Sequence, residues 1–357
     1  WCSSDLTAPF CHLHLHTCYS LLDSTLKIKD ALAAARDMGM TYMAMTDHAV
    51  LYGAVEFYRA AEAAGIKPII GCDLYIARNG IDDHTSQRDN LSLVLLAENQ
   101  TGYANLVKLV SHAHLQGMWH KPRIDKQMLR QHAEGLIGLS GNLRGEVNEA
   151  CLHGDLEKAE TLALEYADIL GPNNFYLELT EHGEDDQKTA NRNLIQLAEK
   201  TGLPLVATND VHYINQEHAE AHDILTCLQR NYLVADPSRY RYPGDQFYLK
   251  SSAEMEALFP DQPQAIANTI EIAKRCNVEF FFPEKAEDLH FPQLPPPDGF
   301  TRRLDYLIHL GKEGLQTLHQ IDDLDPPKDD RERDINERPP HKPNPIPTTH
   351  TNKHLPP

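Results

Sequence analysis

The stretch Phe10–Ser24, FCHLHLHTCYSLLDS, sets three histidines at alternating positions on a short apolar run and follows them with an aspartate. Side chains alternate between the two faces of a strand, so His12, His14 and His16 share one face, opposite Cys11, Leu13 and Leu15. Imidazoles placed where a strand would bury aliphatics need a reason. Two of them in an H-x-H pattern with Asp23 close behind suit a zinc, manganese or iron site.

Working outward, apolar runs recur at Phe10–Leu15, Tyr42–Met45, Pro68–Ile76, Leu91–Leu96, Leu136–Leu139, Phe175–Leu179 and Leu205–Ala207. Helical patterns separate most of them, among them Ile28–Met38, Val55–Ala64 and Leu156–Leu170, each followed by a glycine suited to a left-handed C-cap. Strand alternating with helix predicts parallel pairing and right-handed winding. About seven such units fit an α/β barrel close to the eight-unit type; a doubly wound sheet is the alternative.

In such a barrel the chemistry lies at the C-terminal strand ends, which favours His14 and His16 over His12. The next strand ends in MAMTDHAV, with Asp47 and His48 at its edge, and the third places Asp73 among apolar neighbours in IIGCDLYI. An unpaired carboxylate there would be costly. Late in the chain PLVATNDVHY puts Asp210 and His212 at another strand end. Each motif alone is a capped turn or a surface histidine; four strand ends delivering imidazole or carboxylate to one rim make a multinuclear metal site. His218 and His222 lie at i, i+4 without an H-E-x-x-H pattern and read as a solvated or packing face. His112 and His114 follow an apolar helical pattern and read as structural.

Composition bounds the reading. The chain has 357 residues, 33 basic against 52 acidic, for a formal charge of −19. As a whole it repels a nucleic-acid backbone, so a polyanion needs local help from metal or partner. No run approaches a bilayer span and no signal peptide opens the sequence, which predicts a cytoplasmic protein without membrane contact. Seven scattered cysteines with no C-x-x-C argue against disulfides and zinc ribbons. Beyond Asp210 the pattern turns helical, over Gln216–Arg230 and Gln264–Cys276. A proline cluster, FPQLPPPDGF, then reads as a linker before a short helix over Arg302–Leu318, and the proline-rich tail reads as disordered, its His341, His350 and His354 idle.

Together HLHTCYSLLDS, MAMTDHAVLYGAVEFYRAAEAAGIKPIIGCDLYIA, LLAENQTGYANLVKLVS, ATNDVHY and FYLKSSAEM resemble the polymerase-and-histidinol-phosphatase (PHP) domain at the amino terminus of bacterial DNA polymerase III alpha subunits. The match runs from about Phe10 to about Phe281, and YLIHLGKEGL resembles the start of the polymerase portion. The resemblance implies a distorted (β/α)7 TIM-like barrel over residues 10–285 after a short extension at 1–9. A linker and polymerase-region segment would follow at 286–320, and then a disordered tail at 321–357. It implies up to three divalent metals, zinc or manganese, held by His14, His16, Asp23, His48, Asp210 and His212, with Asp73 where the family has glutamate. Ser92 stands where the family has histidine and Asn142 where it has cysteine, so not every metal site is expected to fill. Active members cleave phosphoesters and act as 3′–5′ exonucleases. The implied partners are DNA, the polymerase core of the same subunit and a proofreading exonuclease. Three readings compete: a phosphoesterase within a replicative subunit, a catalytically impaired scaffold, and a free-standing histidinol-phosphatase-like enzyme. No polymerase palm fits after Leu318, and the abrupt change after GKEGL predicts a truncation or shifted frame.

Overall fold

The structure, a computed structural model, describes residues 9–85, 90–282 and 295–319. The residues Trp1–Phe281 form one compact unit, and Phe282–Pro357 are grouped as a second. Residues 1–8, the first four residues of the proline-rich linker and the tail with its three histidines lie outside the described residues.

The first unit runs as follows: α1 (Ile28–Asp37), β1 (Tyr42–Met45), α2 (Ala54–Ala64), β2 (Lys67–Ile76), β3 (Leu91–Ala97), α3 (Gln100–Leu115), β4 (Met118–Trp119), β5 (Lys121–Ile124), α4 (Lys126–Gln131), β6 (Leu136–Leu139), α5 (Glu146–Leu152), α6 (Leu156–Leu170), β7 (Phe175–Thr180), α7 (Asp185–Thr201), β8 (Leu205–Thr208), α8 (Ala219–Arg230), α9 (Ser252–Leu258) and α10 (Pro263–Arg275). In the second unit the described residues hold α11 (Arg303–His319), where Arg302 pairs with Asp305.

The sheet follows the order β4-β5-β2-β3-β6-β7-β8, with β1 beside β2. Segment 12–16 closes it into a ring. On one side the Ala44 and Thr46 amides donate to the carbonyls of His12 and Leu15 at 2.9 Å. On the other, the His16 amide donates to Val211 at 2.8 Å and the Val211 amide to His14 at 3.1 Å. The seven members of the ring are segment 12–16 and β1, β2, β3, β6, β7 and β8, which is the distorted seven-unit α/β barrel.

One expectation needs correction. Parallel pairing holds for β1–β2, β6–β7 and β7–β8, but β3 is antiparallel to both β2 and β6. The cause is the connection: the residues between β2 and β3 include Arg78–Asp83, RNGIDD, a turn-rich stretch in place of a crossover helix, so the chain reverses. As a result the first residues of β3 reach the rim where its neighbours end. The glycine caps also divide. Gly65 caps α2 in the left-handed conformation (φ 73°), whereas Gly171 leaves α6 at φ 85° and ψ 174°, an extended exit only glycine tolerates well.

Within the ring, same-face positions change from apolar to polar along each strand. Ile69 precedes Asp73 on β2, Tyr176 precedes Glu178 on β7, and Val206 precedes Thr208 on β8; on reversed β3, Leu96 and Val94 lie at the apolar end and Ser92 at the polar end. The apolar members pack as one cluster with Leu13, Ile137 and Leu139, and α10 joins them through Ile270 and Ile272. Helices on the outside bury further clusters, including Leu106 and Leu109 of α3 and Tyr166 of α6.

The first turn of α3 packs backbone to backbone on the 133–135 loop. A Cβ at Gly102 would lie 1.8 Å from the Gly135 carbonyl oxygen. Gly102→Ala is therefore expected to destabilise the unit by about 1–3 kcal/mol, read as a lower urea midpoint at unchanged slope.

Candidate metal centre

Each functional side chain is placed by a strand end or the loop after it. The ring-closing hydrogen bonds fix His14 and His16 at the rim, while Leu13 and Leu15 are fully buried. His12 lies deeper and its Nε2 donates to the Lys250 carbonyl at 2.8 Å, so it faces away from the site. After His16 the chain turns through Leu22, at φ 61°, to bring in Asp23. His48 follows β1 and bridges to Asp73 of β2. Asp210, beyond β8, holds φ 44°, a left-handed conformation that aspartate tolerates better than most residues.

The structure brings all seven expected residues together. His48 lies 2.9 Å from Asp23 and 3.0 Å from Asp73, and Asp73 is 3.9 Å from His14. One oxygen of Asp210 lies 3.3 Å from His14, 3.0 Å from His16 and 3.2 Å from His212. His16 stacks between His48 and His212, with ring centroids at 4.0 and 4.6 Å.

Groups behind the rim orient the imidazoles. His14 Nδ1 bonds Glu178 Oε1 at 2.7 Å, and Glu178 also accepts from the Thr208 hydroxyl. The Asp23 carbonyl accepts His212 Nδ1 at 2.7 Å and His222 Nε2 at 2.9 Å. A carbonyl only accepts, so both of those nitrogens carry hydrogen. This leaves His212 Nε2 with its lone pair facing Asp210 in the neutral ring. Such carboxylate and carbonyl partners fix the tautomer of a metal-binding histidine.

Four features lay beyond the sequence reading. Glu178 is a lone acid in the apolar run FYLELT, the one signal that could have marked it. His222 is buried against His212 and Tyr242, where a solvated or packing face was expected. Tyr242 reaches Asp23 Oδ1 at 3.2 Å from a segment with no strand or helix pattern. Asp47 is a brace: its carboxylate accepts the Thr17 amide and the Thr17 and Ser20 hydroxyls, and burial raises its pKa. His112 and the exposed His218 take no part, and His114 bonds the Ala49 carbonyl.

The electrostatics favour a cation. Burial disfavours charge on His14, but Asp210, Glu178 and Asp73 outweigh it and raise its pKa to about 9. On His48 burial is likewise overcome, by Tyr75, Asp23 and Asp73, and its pKa rises well above the ordinary value. Burial and the imidazoles of His48 and His212 push His16 down to about 3. Against burial, His48 and His14 hold Asp73 near 2, and His14, His16 and His212 hold Asp210 well below the usual range. Three aspartates and Glu178 thus face two protonated imidazoles, a negative surplus in a buried site. His14 Nε2, His16 Nε2, His48 Nδ1, Asp210 Oδ1 and Glu178 Oε2 are buried without an aligned hydrogen-bond partner. Glu178 stands behind His14, but the unpartnered His14, His16, His48 and Asp210 atoms belong to the clustered rim and fit a divalent cation.

Two expectations follow. A cation must displace the protons of His14 and His48, so its affinity rises with pH up to about 9. Calorimetry in buffers of different ionisation enthalpy should show release of about two protons. Glu178→Gln, which loosens His14, should weaken metal affinity about 10–100-fold in a chelator competition.

The family model described as PHP domain matches residues 12–182. The DNA polymerase III subunit alpha of Treponema pallidum (strain Nichols) is 42% identical over 315 residues, 87% of this chain and 27% of its own length. That of Thermus aquaticus is 42% identical over 315 residues, covering 86% and 26%. A crystal structure of a protein described as a metal-dependent phosphoesterase from Bifidobacterium adolescentis covers 71% of this chain and 96% of its own, at 12% identity and TM-score 0.39. The chain spans about a quarter of the length of these polymerase subunits. Residues 12–182 match the PHP domain, and along most of its length the chain is similar to DNA polymerase III alpha subunits.

Proposed function

We propose that this chain is the PHP portion of a replicative DNA polymerase alpha subunit and that its rim site hydrolyses phosphoesters with zinc or manganese, acting on DNA as a 3′–5′ exonuclease. The observation that carries this is the convergence of imidazole and aspartate atoms from four strand ends on one spot, several of them buried without an aligned partner. Its partners would be DNA, the polymerase core of the same subunit and a proofreading exonuclease.

Among the described residues three groups of side chains bring ligand atoms within 4.8 Å of one another: His16, His48 and His212; His14, His16 and Asp73; and Asp23, His212 and His222. The first shares a residue with each of the others. His48 of the first group also lies beside Asp23 of the third and Asp73 of the second, so the groups form one connected cluster. Bound divalent cations supply Lewis acidity toward a phosphoryl oxygen and a nucleophile at neutral pH. The chain's own residues do the rest. Glu178 holds His14 by Nδ1, the Asp23 carbonyl holds His212 and His222, and Tyr242 donates its phenolic hydrogen to Asp23 Oδ1.

One observation favours the scaffold reading. Ser92 Oγ donates to Asp73 Oδ1 at 2.6 Å and Asn142 Nδ2 to Asp210 Oδ2 at 2.8 Å. At two positions where the resemblance implies ligands, this chain has groups that each occupy one oxygen of an aspartate instead. Metal content by mass spectrometry, paired with nucleotide release from single-stranded DNA, separates the readings. About two metals per chain, with release lost in His14→Ala and on chelation, establish the phosphoesterase. Less than one metal and no release establish the scaffold.

A further inference from the structure

The chain is strongly acidic, yet unpaired cations gather at this rim. Lys121 lines a cleft of about 230 Å³ that opens on Asp23 and His48, and its Nζ sits 5.5 Å from the centre of the Tyr75 ring. Arg230 ends α8 beside Gln229, which lines the same cleft, and its guanidinium lies 4.0 Å over the Tyr240 ring. Arg144 follows Asn142, the partner of Asp210, and is close enough to act electrostatically on both Tyr240 and Tyr242. Among the described residues none of these three cations is in an ion pair, although other basic residues pair with acids elsewhere on the surface.

Exposed aromatic rings stand with them. Tyr52 is 63% exposed on the wall of the cleft and Tyr240 is 43% exposed. The segment that carries Tyr240 is pinned from beneath. Buried Arg239 forms a two-pronged ion pair with Asp223 of α8, and two residues on Tyr242 touches Asp23. An exposed ring on a braced segment loses little freedom when a flat group stacks on it.

We propose that Tyr52 with Lys121, and Tyr240 with Arg230, are two nucleotide-binding subsites flanking the metal centre, and that they hold a single nucleic-acid strand across it. Aromatic faces take the bases and cations take the phosphates, the combination that binds single strands without reading sequence. The assignment deepens the phosphoesterase reading but is tested without it.

The test is binding of a fluorescein-labelled, phosphorothioate-linked oligothymidylate of eight nucleotides to the full chain, followed by anisotropy over a range of salt. Tyr52→Ala and Tyr240→Ala should each raise Kd about 5- to 100-fold, while Tyr52→Phe and Tyr240→Phe retain binding. Lys121→Gln and Arg230→Gln should each lower the slope of log Kd against log salt by about 0.7. Arg130→Gln, on the exposed pair with Asp168, serves as the surface control and should change neither. Equal loss in the Phe and Ala variants would assign the tyrosines to structure and overturn the subsites. So would unchanged binding in all four loss variants, or no binding by the wild type. Normal wild-type binding with no release from an unmodified oligonucleotide would leave the subsites standing and sink the cleavage reading.

Discussion

The structure turns on the insertion of one extended segment, 12–16, between β1 and the chain beyond β8. Its backbone completes the ring, and the same hydrogen bonds fix where His14 and His16 sit. Fold closure and site assembly are therefore one event. Leu13 and Leu15 bury in the core and His14 and His16 reach the rim, while the deeper His12 bonds the Lys250 carbonyl. A slip of one residue would exchange these faces, exposing leucines to the carboxylates and burying imidazoles in hydrocarbon. The apolar alternation thus sets the register of the chemistry.

A buried group of aspartates is costly unless something positive meets it. Here the meeting is graded. Asp210 faces three imidazoles and Asp73 two, while Asp23 faces His48 and the Tyr242 hydroxyl. Protons on His14 and His48 offset the charge without satisfying direction, since the ring nitrogens are near the carboxylates but poorly aligned with them. A small cation sits on several lone pairs at once in a way that separate protons cannot. That difference, direction rather than charge, suits the cluster to a metal and distinguishes it from a set of buried ion pairs.

Much of this was legible in the sequence because strand ends are. H-x-H, D-H and D-x-H at the ends of apolar runs stood out as polar residues where burial was expected, and the family resemblance joined them. What escaped depended on pairing that no local pattern records. The reversal of β3 follows from a turn-rich connection, and only that reversal puts Ser92 within reach of Asp73. Glu178 looks like any strand acid until β7 is set beside β8 and Thr208. His222 sits on an amphipathic helix whose apolar face is ambiguous in sequence, and contact with the Asp23 carbonyl decides its side. Tyr242 comes from irregular backbone braced by Arg239 and Asp223, a tertiary contact without a periodic signature.

The acidic composition implies that a polyanion needs local help, and the proposed subsites would supply it. Net charge governs the field at distances beyond the screening length, about 8–10 Å at physiological salt. Within that length a strand would meet Lys121, Arg144 and Arg230, with the aspartates of the centre buried beneath. A cation there converts those aspartates from repulsive to neutral for an approaching phosphate, while the exposed acids of the outer helices continue to disfavour binding anywhere else. On the proposed binding mode the surplus of acid would confine a polyanion to the rim where metal and basic side chains coincide, so charge that weakens general association would sharpen its location.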